Sequence, residues 1–127
     1  MTHKVLIVDD SKLARMAIAK ALNALHPDWP RLEAANAVEA LARVKEDAPD
    51  IVLLDFNMPG QDGVALAAEV RRLSPNIRVA VISANHQTEV VARAQEAGAA
   101  FLAKPLTEKA LADFLRSALA QHSPGNQ

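Results

Sequence analysis

Ile51-Val52-Leu53-Leu54-Asp55, followed by Phe56-Asn57-Met58-Pro59-Gly60-Gln61-Asp62-Gly63, is the stretch around which this chain organises itself. An apolar run closed by a carboxylate and a loop of turn formers reads as a strand buried on both faces. Three other apolar runs end in a similar way. Val5-Leu6-Ile7-Val8 leads into Asp9-Asp10, Val79-Ala80-Val81-Ile82 into Ser83, and Phe101-Leu102-Ala103 into Lys104-Pro105. Parallel strands all finish at one edge, where open α/β sheets bind their ligands. The sequence thus gathers three carboxylates, one hydroxyl and one ammonium at a single rim.

The segments between these runs carry helical spacing. Ser11 is placed as an N-cap ahead of Ala14, Ala17, Ile18, Ala21, Leu22 and Leu25. His26-Pro27-Asp28-Trp29-Pro30 breaks that helix, and a short weak strand follows over Leu32 to Ala35. Asn36 with Glu39 has the form of a capping box, and Pro49 closes the helix it opens. The next helix is expected to bury Leu66, Ala67, Val70 and Leu73, and a further one to end at Gly98. Thr107 is placed as the last N-cap, with Leu106 and Leu111 as a hydrophobic staple. Five βα units with right-handed crossovers give a doubly wound, flavodoxin-like (βα)5 fold, α/β in class. Its five-stranded parallel sheet is expected in the order 2-1-3-4-5. The folded domain is expected over residues 1–121, with 122–127 as a flexible tail.

Composition narrows the function classes. At 127 residues the chain fits one domain with one substantial core. A net charge of -1 supplies no basic footprint, which argues against direct binding of nucleic acid. The absence of cysteine excludes disulfides, thiolate metal sites and cysteine nucleophiles. No apolar stretch has signal-peptide or membrane-spanning length, so a cytoplasmic protein without membrane contact is expected. His3, His26, His86 and His122 lack metal spacing and read as solvated positions, His86 standing out because it lies in the loop after Ser83. Trp29 reads as a local packing residue, and Arg71-Arg72 as a solvated helix face.

The rim has a definite chemistry. Crowded carboxylates repel unless a cation joins them, and Mg2+ prefers such oxygen ligands. Asp10 and Asp55 read as direct ligands, Asp9 as direct or acting through water, and the Asn57 backbone carbonyl as a further contributor. Asp55, at the end of the central strand, reads as the nucleophile that forms an acyl phosphate. Lys104 would neutralise the phosphoryl oxygens and Ser83 would donate a hydrogen bond to one of them. Each residue alone has an ordinary reading as a cap or turn former. Their joint placement at successive strand ends is what carries the site.

The motifs Val8-Asp9-Asp10-Ser11, Leu54-Asp55-Phe56-Asn57-Met58-Pro59-Gly60 with Asp62-Gly63, Ser83-Ala84 and Lys104-Pro105 resemble those of CheY-like receiver domains of two-component response regulators. The resemblance covers Lys4 to Leu119. It implies phosphoryl transfer from a partner histidine kinase or histidine phosphotransfer protein onto Asp55, with magnesium, and self-dephosphorylation by water. It also implies a cis peptide before Pro105. It further implies a switch in which Ser83 moves toward the phosphoryl group and Phe101 turns inward, past the small Ala84. Ser83 stands where threonine is frequent in the family, and Phe101 where tyrosine is frequent.

The expected function is therefore a stand-alone, monomeric receiver in a phosphorelay. It is not an enzyme beyond its own phosphorylation and dephosphorylation, and it signals to a downstream protein. The face of helix four, strand five and helix five, carrying Glu89, Arg93, Glu96, Lys109, Asp113 and Arg116, is the expected contact surface. The alternative is a haloacid-dehalogenase-like phosphatase. Such an enzyme wants an Asp as general acid two residues after the nucleophile, where this chain has Asn57.

Overall fold

The computed structural model describes residues 2–58, 62–84 and 88–122, the side chains of 121 and 122 aside. Strands and helices alternate throughout: β1 Val5–Val8, α1 Lys12–Leu25, β2 Arg31–Ala34, α2 Ala37–Asp47 and β3 Ile51–Asp55, then α3 Gly63–Leu73, β4 Arg78–Ser83, α4 Thr88–Glu96, β5 Ala100–Ala103 and α5 Glu108–His122. The five strands form one parallel sheet in the order β2-β1-β3-β4-β5, as the sequence leads one to expect. Of the tail expected over 122–127, His122 is the last residue of α5, while 123–127 and His86 lie outside the described residues.

Strand alternation divides the core in two. Leu6, Val8, Val52, Leu54, Val79 and Val81 face α2, α3 and α4, with Leu66, Ala67 and Val70 among the residues packed against them. Val5, Ile7, Ile51, Leu53, Ala80 and Ile82 face α1 and α5, meeting Ile18, Leu22, Leu111 and Leu115. Every residue of β1 and β3 is buried, which is why these runs are apolar without a polar face.

The helix ends follow local chemistry. Ser11 Oγ accepts from the Ala14 N–H at 3.2 Å, and Asn36 Oδ1 from Glu39 N–H at 2.9 Å. The Glu39 carboxylate reaches one residue further back than a strict capping box, to the Ala35 N–H. Ala48 ends α2 in the left-handed region at φ 47°, ahead of the Pro49 ring that disfavours helix before it. Thr107 Oγ1 caps α5 through the Ala110 N–H, and Leu106 packs against the cluster that holds Leu111.

Four sequence expectations need correction. The second strand begins one residue earlier than expected, at Arg31. Leu73 is 46% exposed, because Ile77 in the following turn takes the buried position at that end of α3. His3 and His26 are not simply solvated. They pack on the buried Trp29, His26 stacking at 3.7 Å and His3 edge-on at 5.0 Å. Arg71 is half-buried and donates to the Pro75 and Ile77 carbonyls, fastening the turn after α3.

Candidate functional site

Register brings the polar strand ends together. Val8 pairs with Leu54, so Asp9 emerges beside Asp55 at the switch point between β1 and β3. Asp55 pairs with Ile82, and the Phe56 N–H continues the ladder to the Ile82 carbonyl at 2.9 Å. Ser83 pairs with Ala103, and the Lys104 N–H reaches the Ser83 carbonyl at 3.0 Å. Five polar groups of three chemical kinds, three carboxylates, a hydroxyl and an ammonium, thus share one edge of four strands.

The carboxylates of Asp9, Asp10 and Asp55 each place an oxygen within 4.8 Å of the others. Asp9 and Asp55 are almost fully buried, at 2% and 4% exposure, while Asp10 is exposed. Asp9 Oδ1 accepts from the Ser11 N–H at 2.9 Å, but its Oδ2 is buried with no partner. Burial raises the Asp9 pKa, and the neighbouring charge of Asp55 adds to the rise; the Ser11 N–H and Lys104 only partly oppose it. Lys104 Nζ stands 2.8 Å from Asp55 Oδ1. That oxygen has the ammonium's charge beside it but no aligned hydrogen bond. An orphaned buried oxygen and three converging carboxylates, only partly neutralised by one lysine, form a donor set suited to a hard divalent cation.

Of the other residues singled out in the sequence, Ser83 is buried at the floor of the rim and Ala84 is exposed just beyond it. Asn57 is exposed two residues after Asp55. Phe101 is half-buried against the α2–α3–α4 cluster. The Lys104–Pro105 peptide bond is cis.

Three supporting features were not read from the sequence. Arg15 Nη1 donates to the Asp9 carbonyl at 2.6 Å and its Nε to Glu33 at 2.8 Å, pinning the end of β1 to β2. Asp62 caps α3 through the Ala65 N–H and pairs with Arg93 of α4 at 2.9 Å. Burial of Asp62 pushes its pKa up, but the Ala65 N–H and the Arg93 guanidinium outweigh that and hold it low. Beside the rim, a cavity of about 460 Å3 opens between α1 and the turn after β5, lined by Asp9, Ala14, Ile18, Ala84, Lys104 and Leu106.

Comparison with known proteins decides the family. Residues 5–116 match the model of the response regulator receiver domain. The chain belongs to this family. Receivers are signalling modules of two-component systems that work with histidine kinases or phosphotransfer proteins and bind Mg2+ at an acidic pocket, here Asp9, Asp10 and Asp55. This receiver is 32% identical over 125 residues to sporulation initiation phosphotransferase F of Bacillus subtilis, covering 98% of this chain and 96% of that one. It is 36% identical over 106 residues to the chemotaxis protein CheY of the same organism, covering 83% and 88%. Among solved structures, the receiver domain of the putative response regulator NarL from Mycobacterium tuberculosis is 35% identical, with a TM-score of 0.80 over 92% of this chain and 96% of that one. The hydrolase alternative has no place in this family assignment. Among the described residues, no helix is long and apolar enough to cross a membrane.

Proposed function

We propose that this receiver takes a phosphoryl group from a phosphohistidine onto Asp55 and relays the change to a protein partner. The observation that carries the reading is the placement of Asp55: nearly buried, clustered with Asp9 and Asp10, and 2.8 Å from the Lys104 ammonium. An Asp55 carboxylate oxygen attacks phosphorus, the P–N bond to the donor imidazole breaks, and the imidazole leaves neutral after taking up a proton. The dianionic phosphoryl oxygens then lie where Lys104 supplies positive charge and Ser83 a hydroxyl. Water attack on the aspartyl phosphate returns the carboxylate and releases inorganic phosphate.

Asp9, Asp10 and Asp55, with the Asn57 carbonyl, would hold Mg2+. When bound, the ion offsets carboxylate repulsion and the charge of the incoming phosphoryl group. The partnerless Asp9 Oδ2 supports that reading. Arg15 and the Asp62–Arg93 pair hold the surrounding backbone in place.

For signalling, the Ser83 hydroxyl turns toward the phosphoryl group and Phe101 moves inward behind it. Ala84 leaves room for that path, and Lys104 already reaches the rim at Asp55. The output then reads on the α4–β5–α5 face. Lys109, Asp113 and Arg116 form a surface ion cluster there, whereas Arg93 already belongs to Asp62. The likeness to sporulation initiation phosphotransferase F over nearly the whole of both chains supports the relay role.

The cavity beside Lys104 is where a donor protein can bring its phosphohistidine to Asp55, with Leu13 and Met16 exposed on α1 as apolar contacts. Leu13→Asp tests this. It should slow transfer from a phosphorylated histidine kinase by roughly tenfold or more, one buried apolar contact being worth about 2 kcal/mol. Labelling by a small phosphodonor should not change. Equal slowing with both donors would place the defect in the site, and no slowing with either would remove α1 from the donor surface.

A further inference from the structure

At the sheet edge opposite Asp55, a cavity of about 310 Å3 lies among α3, α4, the starts of β4 and β5, and α5. Two guanidinium groups line it, Arg71 from α3 and Arg78 from the first position of β4, and none of its lining residues is acidic. Arg71 is held in place by its two carbonyl acceptors, Pro75 and Ile77. Gly98, at φ 79°, lets it lie close, since a Cβ there would stand 2.9 Å from Arg71 Nε.

Arg78 is different. Its main chain is satisfied, the N–H reaching the Asp50 carbonyl, but its Nε is buried with no hydrogen-bond partner. Among the described residues no carboxylate pairs with it. Asp50, at the same sheet end, gives its carboxylate to the Lys4 N–H at 2.8 Å. A buried cationic donor without an acceptor is costly, and a second guanidinium in the same cavity adds repulsion. An oxyanion in the cavity would offset the paired positive charge, because planar guanidinium groups match phosphate oxygens through paired N–H donors.

We propose that this cavity binds a small phosphate-bearing anion, held chiefly by Arg78 and Arg71 and separate from the phosphorylation site. Gln95 and Ser117 line the same space and offer neutral donors to the remaining oxygens. The site differs from the rim in composition: one has carboxylates that want a cation, the other guanidinium groups that want an anion.

The test is titration of the full chain with inorganic phosphate in metal-free buffer at constant ionic strength, followed by backbone amide chemical shifts. The expected result is saturable shifts at Ala99, Ala100 and Ser117, equal in wild type and Asp55→Asn. Arg78→Gln should weaken binding by roughly tenfold or more, the loss expected for one charged hydrogen-bond partner, and Arg78→Lys should weaken it less. If Arg78→Gln fails to fold, the wild-type and Arg78→Lys titrations still decide. Linear shifts without saturation, shifts confined to the neighbourhood of Lys104, or equal affinity in wild type and a folded Arg78 variant would overturn the proposal.

Discussion

Gly63 lies so close to the main chain of Asp55 that a Cβ added to it would stand 2.5 Å from the Asp55 carbonyl oxygen and 2.7 Å from Phe56 Cα. The first turn of α3 therefore seats directly on the end of β3, and the Gly63 N–H fixes the approach by donating to the Phe56 carbonyl at 2.8 Å. Gly63→Ala should destabilise the fold by about 1–3 kcal/mol in chemical denaturation, since the neighbour is backbone that can only shift. The same shift should slow Asp55 phosphorylation well beyond the stability effect, because about 1 Å of misplacement can cost ~100-fold in rate. Wild-type stability and labelling rate in this variant would remove the contact from the site's construction.

Asp9 makes the metal-free protein pH-sensitive. Its folded pKa lies above the ordinary 3.8, burial being the main cause and the charge of Asp55 adding to it. Below 3.8 the group is protonated folded and unfolded and contributes nothing. As pH rises through the window from 3.8 to the raised value, ionisation costs more in the folded state, and the destabilisation is complete above that window. Asp9→Asn keeps an oxygen for the Ser11 N–H and removes the charge. It should therefore be more stable than wild type at neutral pH without metal, with the gain vanishing below pH 3.8. Denaturation curves at neutral and acid pH check this, and a gain that persists in acid would assign the effect to packing.

Asp10 is the exposed member of the cluster, so its removal costs little structure. Asp10→Asn should weaken Mg2+ binding by about tenfold or more, at least the loss seen when an outer-shell partner is removed. Calorimetric titration measures this directly, and phosphorylation by a small donor should fall in parallel. Unchanged Mg2+ affinity would exclude Asp10 from the ligand set.

Most of this site was legible because parallel sheets convert strand ends into spatial neighbours. Asp9, Asp55, Ser83 and Lys104 could be placed together from the apolar runs that precede them. What escaped notice depends on contacts between elements with no sequence period to betray them. Arg15 reaches the Asp9 carbonyl from α1, and Arg93 reaches Asp62 across two helices, each looking like an ordinary helix-surface charge in the sequence. The histidines flanking Trp29 were misread for a similar reason: their stacking partner comes from the way the α1–β2 connection folds back. The edge of β2 slipped by one residue because an edge strand, only half-buried, carries a weak apolar signal.

Ser83 is nearly fully buried, and its carbonyl already holds the Lys104 N–H, so β4 and β5 are coupled where the hydroxyl would move. Ser83→Ala should still accept phosphate at Asp55 but lose much of the response transmitted to Phe101, because in the proposed switch the hydroxyl supplies the contact that differs between states. Hydrogen exchange around Phe101, with and without beryllofluoride as phosphoryl mimic, reads that response. An equal change in protection in wild type and Ser83→Ala would show that the signal takes another route.

The most direct measurement is to locate the phosphoryl group itself. Borohydride reduces an aspartyl phosphate to homoserine, which peptide mass spectrometry assigns to a residue. After incubation with Mg2+ and a small phosphodonor, wild type should carry the reduced product at Asp55 alone. Asp55→Asn should carry none while keeping the wild-type fold by circular dichroism. Trapping at Asp9, Asp10 or any residue outside the rim in wild-type protein, or undiminished labelling of Asp55→Asn, would contradict the assignment of Asp55 as the phosphoacceptor.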